Sequence, residues 1–200
     1  MSTENQNTEW QKTWDARLTA LSLHFGKPSD TVYHAVIPFY LGGQADVVAF
    51  PGYRSGIAYI TAEMTGEDAA QIPGEFDSYE LMVCTRTEDK KAPEIIARLA
   101  RYTCDAKLEA GETMDIGGFF GDRTIRAFLF CHPNDLPVRF ELNQRSCGVL
   151  LCIGITKDEL DLKKRNGSPA LLALLKEKSV FPFTEPNRTS VTPKPWFRLW

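Results

Sequence analysis

The residues from Gly148 to Ile155 form an unbroken apolar run, and this run limits the possible folds more than any other feature of the sequence. Successive side chains of a β-strand point to opposite faces of the sheet, so a half-exposed strand alternates apolar and polar residues. A uniformly apolar run is instead typical of a strand that is buried on both faces. The sequence therefore predicts a central strand that the rest of the chain must cover.

Helical patterns lie on both sides of this run. Apolar residues from Trp10 to Phe25 recur at spacings of three and four, which predicts a helix from about Glu9 to Phe25. Gly26 and Pro28 are signals that end it. Three further helices are predicted to begin at Pro93, at the capping-box pair Thr156 and Glu159, and at Ser168 with Pro169.

Strand-like runs rich in β-branched and aromatic residues precede and interleave with the helices, while residues 105–123 are loop-like. Besides the apolar run, they are 32–39, 45–50, 56–64, 79–86, 126–131 and 138–142. These elements do not follow a regular βαβ rhythm. The predicted fold class is therefore α+β, with a mixed or largely antiparallel sheet of about six strands and helices packed on it.

The predicted domain organisation is simple. We expect residues 1–8 to be disordered, residues 9–178 to form one domain, and residues 179–200 to form a tail that packs on it. The tail has four prolines and a cluster of aromatic residues, which favour an extended chain and burial respectively. It is expected either to cross the surface of its own domain or to dock on a second copy as a homo-oligomer.

Composition excludes several classes of partner. The net charge is −3, and Lys163 to Arg165 is the only basic run of three, so no nucleic-acid partner is expected. No apolar stretch reaches about 18 residues, so no membrane partner is expected either. The first nine residues lack the apolar core of a signal peptide. This feature, together with five cysteines at irregular spacing along the chain, predicts a cytoplasmic protein with reduced thiols.

Candidate reactive groups do not form a recognisable catalytic or cofactor site. Cys131 and His132 are neighbours on a predicted strand, so they point to opposite faces and cannot readily form a dyad. The cysteines and histidines lack the close pairs of a zinc site. The loop from Gly117 to Asp122 lacks the Lys-Ser/Thr of a phosphate-binding loop. No cofactor or metal is therefore predicted.

Three carboxylates on or beside strands leave a hydrolase open as an alternative. Asp46, Glu63 or Glu80 could act as acid and base if two of them lay within about 5–10 Å. The competing interpretation places them at solvent-facing positions or in ion pairs with Arg54 or Arg86. Structural ion pairs often resemble active sites, so this interpretation is preferred.

An acidic loop from Gly66 to Ser78 separates two of the predicted strands. It is either a solvated hairpin loop or an acidic rim that attracts a basic partner. The predicted partner-binding residues are this rim and neighbouring strand residues. They are Tyr59, Glu63, Glu67, Asp68, Glu75, Asp77 and Tyr79.

Three segments together resemble the Suppressor-of-Fused domain family over about residues 20–178. Each is mostly structural, and their order and spacing carry the resemblance. They are AYITAEMT (58–65) followed by the acidic loop and YEL (79–81), PEIIARLARY (93–102) followed by EAGE (109–112), and GVLLCIGITKDEL (148–160) followed by NG (166–167) and LL (171–172).

The resemblance implies an α+β domain that grips a partner. In the animal proteins this domain and a second one clamp a short peptide as an added strand, while bacterial single-domain members resemble immunity proteins. The predicted function is non-catalytic binding of a protein, foremost neutralisation of a cognate toxin, with a basic toxin domain or a short peptide as partner. The alternatives are a regulatory adaptor that binds a peptide by strand addition, and a hydrolase with strand-borne carboxylates.

Overall fold

The computed structural model describes residues 3–66, 71–116, 124–134 and 136–192. Within these residues the helices are α1 (Thr3–Phe25), α2 (Lys91–Ala100), α3 (Lys157–Asn166) and α4 (Ser168–Glu177). The strands are β1 (Val32–Tyr33), β2 (Val47–Tyr53), β3 (Gly56–Thr61), β4 (Ser78–Thr85), β5 (Thr113–Asp115), β6 (Ile125–Cys131), β7 (Val138–Leu142) and β8 (Arg145–Thr156). Helix α1 begins at Thr3, earlier than the predicted Glu9. None of the described helices combines the length and the apolar character needed to cross a membrane.

The strands form one mixed sheet in the order β1-β2-β3-β4-β8-β6-β5. Strand β8 pairs in parallel with β4, and every other pairing among the described strands is antiparallel. On its other side β8 pairs first with β7 and then with β6. The α+β fold class is confirmed, with eight strands in the described chain rather than about six.

The predicted central strand is confirmed in β8, whose residues from Cys147 to Thr156 are all buried. Its odd-numbered residues from Val149 to Ile155 pack in the core that contains side chains of α1 and α4. Leu150 and Cys152 point to the opposite face, where α2 packs. The sheet is therefore covered on both faces, as its most apolar strand requires.

Two predicted strands are shorter in the structure, and one was missed. The predicted strand 32–39 continues only to Tyr33, because the Ala35 N–H bonds to the Asp46 side chain rather than to a neighbouring strand, and a 3-10 turn follows at Phe39–Leu41. Strand β3 ends at Thr61, and shortly after it the N–H groups of Met64 and Thr65 bond to the Glu80 side chain rather than to a neighbouring strand. The short strand β5 lies in a segment that the sequence indicates as a loop.

A buried ion pair joins α1 to the sheet. Arg17 and Glu80 are 5% and 0% exposed, and Arg17 Nε lies 3.3 Å from Glu80 Oε1. Glu80 also accepts hydrogen bonds from the backbone N–H groups of Met64 and Thr65 and from the hydroxyl of Thr61. Burial raises the pKa of Glu80, and the charge of Arg17 opposes this shift. The pair therefore fixes both the helix and the turn that follows β3.

Arg17 also forms hydrogen bonds to the turn that follows β3. Its guanidinium donates to the Ala62 carbonyl at 2.5 Å, to the Thr65 carbonyl and, through Nε, to the Thr65 hydroxyl at 2.9 Å. Burial lowers the pKa of Arg17, and the charge of Glu80 opposes this shift. Both buried charges thus have specific partners, as buried ions require.

The described part of the tail, residues 179–192, lies on its own domain. The Thr184 hydroxyl accepts a hydrogen bond from Gly154 N–H at 2.8 Å, and Phe183 forms a β-bridge with Cys84. Arg188 pairs with Glu159, the buried carboxylate of the α3 capping box, and also donates a hydrogen bond to the Gly154 carbonyl. Residues 193–200 lie outside the described residues, so a role of the tail in oligomers stays a prediction.

Replacing Arg17 with methionine should lower the free energy of unfolding by about 3–5 kcal/mol, because it leaves the Glu80 carboxylate buried without its cation. Urea denaturation monitored by circular dichroism measures the loss. The matched control is Arg126→Met, which removes an exposed ion pair with Asp115 and should cost no more than about 1 kcal/mol. Equal losses in the two variants would contradict the stabilising role of the buried pair.

Candidate protein-binding surface

Two carboxylates beneath the segment 34–44 fix its backbone. The Asp46 carboxylate accepts the Ala35 N–H at 2.7 Å, and its other oxygen lies 2.6 Å from Nδ1 of His34. Glu63 Oε2 accepts the Asp46 N–H at 3.1 Å and contacts the Phe39 N–H at 3.5 Å. The segment is thus attached to the start of β2 and to the turn after β3.

Glycines and a proline give the segment its shape. Pro38 precedes the 3-10 turn, and Gly42 closes it with a left-handed φ of 87°. A Cβ atom on Gly43 would lie 1.7 Å from the carbonyl oxygen of Ile37, so any side chain there would clash with the backbone. The chain therefore folds back closely on itself at this point.

The result is a group of four exposed apolar side chains, which we call the 36–41 patch. Val36, Ile37, Tyr40 and Leu41 are 102%, 55%, 58% and 65% exposed. Phe39 points inward from the middle of the same segment and is 2% exposed. Single exposed apolar residues are ordinary, but several of them on one short segment are typical of an interaction surface.

Two of the predicted partner-binding residues are in the interior. Tyr59 and Tyr79 are 1% and 2% exposed, so neither ring can contact a partner in this conformation. The Tyr79 hydroxyl accepts the Leu108 N–H at 3.3 Å, and burial raises the pKa of Tyr79 to about 12. Their strand positions have an alternating pattern, but the sheet is covered on both faces. The burial of both rings contradicts the prediction that these two tyrosines contact a partner.

The described acidic residues of the loop are exposed but already bonded. Glu75 pairs with Arg139 at 2.9 Å and contacts His132 at 3.3 Å. Asp77 accepts the Ser146 N–H at 2.9 Å. Glu67 and Asp68 lie outside the described residues. The bonds of Glu75 and Asp77 attach the loop to β7, to β8 and to the end of β6. These bonds do not test a contact with a partner, so the acidic rim stays a prediction.

Of the carboxylates considered for hydrolysis, Asp46 and Glu80 are buried and Glu63 is partly buried, and none pairs with the predicted arginines. Glu80 pairs with Arg17, and Asp46 pairs with His34. Arg86 instead pairs with Glu185 in the tail, and Arg54 bonds to the side chain of Asn134. The sequence gives no local sign of these pairs, because Arg17 lies far before Glu80 in the chain and Glu185 lies far after Arg86. Glu80 is wholly buried and cannot reach a substrate in this conformation.

The neighbouring residues Cys131 and His132 do not form a catalytic dyad in this structure. Burial raises the pKa of Cys131 to about 12, so its thiol is far from a nucleophilic thiolate. The neighbouring His132 faces Glu75 instead. Among residues 3–66, 71–116, 124–134 and 136–192, no group of three or more potential ligands is placed to hold a metal ion. All five cysteines are free thiols.

The chain matches a family model described as Suppressor of fused protein (SUFU) over residues 44–189. No curated protein matches the chain in sequence. The match includes all the described strands except β1, and it includes the attachment points of the 36–41 patch at Asp46 and Glu63.

Solved structures share the fold at low sequence identity. A chain of the Sufu–Fu complex superposes with a TM-score of 0.69 and 14% identity, covering 90% of this chain and 92% of that one. Drosophila Suppressor of Fused gives 0.69 and 14%, covering 87% and 50% respectively. A putative SUFU homologue from Neisseria gonorrhoeae gives 0.65 and 17%, covering 94% and 99%.

The environment of Glu63 predicts a pH-dependent effect of Glu63→Gln on stability. Burial, and then the charge of Asp46, raise the pKa of Glu63 above its ordinary value of 4.5. Protonation of Glu63 therefore stabilises the folded protein. This stabilisation is fully present below the ordinary pKa and is lost as the pH rises through the folded-state pKa. The glutamine keeps an oxygen for the Asp46 N–H and carries no charge, so the variant should be the more stable protein at about pH 8 and gain nothing at about pH 4.

Urea unfolding at the two pH values measures this difference. Glu177→Gln, which removes an exposed carboxylate paired with Lys178, is the control and should show little dependence on pH. A Glu63→Gln variant that loses the same stability at both pH values would show that the charge on Glu63 is not the cause.

Proposed function

The chain belongs to the Suppressor of fused protein (SUFU) family, and from this premise we propose that it is a non-catalytic protein-binding module that neutralises a cognate toxin as an immunity-type protein. The family membership agrees with the resemblance noted in the sequence. One of the structural relatives is described as a complex of Sufu with Fu, so a protein of this fold binds another protein. We extend that mode of action to this chain.

The 36–41 patch is the observation that carries the proposal. Tyr40 supplies an amphipathic aromatic side chain of the kind that anchors interfaces, and the same segment exposes three aliphatic side chains. The bonds of Asp46 and Glu63 hold the segment in place before a partner arrives. A preorganised patch loses less conformational entropy on binding than a mobile loop does.

The partner and compartment follow from the same proposal. A basic toxin domain would also suit an acidic rim at the loop 66–78, through Glu67 and Asp68 together with Glu75 and Asp77. We place the protein in the bacterial cytoplasm, where five free thiols stay reduced. An immunity protein acts there on a toxin that has entered the cell.

A second candidate function, peptide binding by strand addition, is favoured by the opposite end of the sheet. Strand β5 is the last strand in the order, and a groove of about 380 Å³ lies beside it, lined by Thr113, Met114 and Phe130 with Lys107 and Lys163. Within the described residues no strand pairs with the outer side of β5, and an unpaired edge beside a groove is the arrangement that accepts an added strand.

The direction of one N–H group makes this candidate testable. Glu112 accepts the Phe130 N–H at 3.0 Å, and Ile116 donates to Arg126 at 3.0 Å. Because backbone groups alternate in direction along an antiparallel strand, the N–H of Thr113 points away from β6. An added peptide would accept its hydrogen bond there.

Replacing Leu41 with aspartate should weaken binding to the toxin at least about tenfold, because it puts a charge into the apolar contact that the patch would make. The proposal requires that a toxin domain is encoded beside the gene for this chain; that domain is the probe, with affinity measured by calorimetry. Leu23→Asp is the matched control, since Leu23 is 82% exposed on α1, away from the patch. Unchanged binding by Leu41→Asp would exclude the patch.

Growth of bacteria tests the immunity function itself. Cells that express the toxin domain with this chain should grow, whereas cells that express the toxin domain alone should stop. The Leu41→Asp variant should protect less well than Leu23→Asp does at equal expression. Equal growth arrest with and without the wild-type chain would exclude toxin neutralisation.

Strand addition predicts a different sensitivity. Peptides selected on the protein from a random heptapeptide library should lose affinity for Thr113→Pro, because proline removes the outward N–H while leaving the bonds to β6. Thr113→Val keeps the N–H and is the control. Fluorescence anisotropy measures both affinities, and equal binding by the two variants would rule out this edge.

A further inference from the structure

A groove of about 390 Å³ lies between the 36–41 patch and the end of α2. One wall consists of Val36 and Ile37 with the backbone of Gly42 and Gly43. Arg98 and Arg101 form the other wall. A hydrogen bond from Ala45 N–H to the Ala97 carbonyl, at 3.4 Å, links the two walls close to their base.

The two arginines are placed to act together. They are three residues apart, which brings their side chains to the same side of the helix end. Arg98 is half-exposed and pairs with Glu94 at 2.7 Å. Arg101 makes no ion pair within the described part of the chain, and it is exposed. The groove therefore has two guanidinium groups and one neighbouring carboxylate.

The two carboxylates that hold the segment 34–44 do not line the groove. Asp46 is directed to His34 and the Ala35 N–H, and Glu63 to backbone N–H groups of the same segment. A positive wall thus faces an apolar wall across one opening. In a chain whose net charge is −3, this is a local reversal of the overall charge.

The chemistry of the two walls defines the ligand. A guanidinium presents a planar fork of N–H donors that matches a carboxylate. Val36 and Ile37 add aliphatic surface with no polar group of their own, which suits a peptide better than a phosphate-rich polymer. We propose that the groove binds an aspartate or glutamate side chain that lies between aliphatic residues in a segment of the partner protein.

This inference rests on the proposed function, and it specifies the chemistry of the partner at the 36–41 patch. It differs from the acidic-rim hypothesis, because it requires negative charge on the partner at this position. A toxin domain that is basic elsewhere would satisfy both if an acidic, aliphatic segment faces the groove. The inference thus assigns the charge of the partner at the groove separately from its charge at the loop 66–78.

The probe is the acetylated pentapeptide Leu-Asp-Leu-Glu-Leu with an amidated C-terminus, and its matched control has Asn and Gln in place of the acids. Two-dimensional amide NMR of the full chain should show shifts at Gly42 and Gly43 with the acidic peptide. The neutral peptide should bind about tenfold more weakly or not at all. Affinity for the acidic peptide should fall as salt increases.

Variants locate the effect. The double variant Arg98→Gln with Arg101→Gln should lose at least about tenfold in affinity for the acidic peptide. Arg126→Gln with Arg165→Gln removes two exposed arginines elsewhere and should leave the affinity unchanged. Equal binding of both peptides, shifts confined to other amides, or unchanged binding by the Arg98/Arg101 variant would overturn the inference. A response to inorganic phosphate without one to the peptide would also overturn it.

The toxin domain distinguishes this inference from the proposed function. If Leu41→Asp loses toxin binding and the Arg98/Arg101 variant does not, the patch is the binding surface and the groove proposal is wrong. If both lose binding, both proposals are supported. If neither does, the proposed surface and the groove fall together.

Discussion

The ion pair between Arg17 and Glu80 is the interaction on which the arrangement of the molecule depends. It connects α1, from the start of the chain, with β4 in the middle of the sheet. The same two side chains bond to the backbone at residues 62–65, where β3 ends. Glu63 lies inside that turn, and Glu63 in turn supports the segment with the exposed apolar patch. The buried ion pair is thus linked, through residues 62–65 and Glu63, to the segment that carries the exposed patch.

The sequence predicted those parts of the fold that depend on neighbours in the chain. The apolar run of β8 and the capping box of Thr156 and Glu159 are local patterns, and the structure has both. Strand β5 was missed because three residues carry too little periodicity. Glu80 looked like a solvent-facing strand residue because its cation is 63 positions earlier, at Arg17, and no local pattern relates the two.

The candidate site could be predicted only in part, for a related reason. Residues 32–39 are rich in β-branched and aromatic side chains, and such residues suit both a buried strand and an exposed binding segment. Pro38 with Gly42 and Gly43 was the available signal that the strand had ended. The loop 66–78 was recognised as a distinct feature, but its contacts with Arg139, His132 and Ser146 come from the far end of the chain.

The parallel pairing of β4 with β8 has a consequence for how the chain folds. It brings together residues 69 positions apart, such as Ser78 and Cys147, whereas β2, β3 and β4 pair with their neighbours in sequence. Contacts of long sequence separation form late, because closing a long loop costs entropy before it is rewarded. On the ribosome, the first three long strands can assemble while the inner edge of β4 still lacks its partner. An incomplete chain that stops before residue 145 would keep that apolar edge open, and it would be a substrate for chaperones or a seed for aggregation.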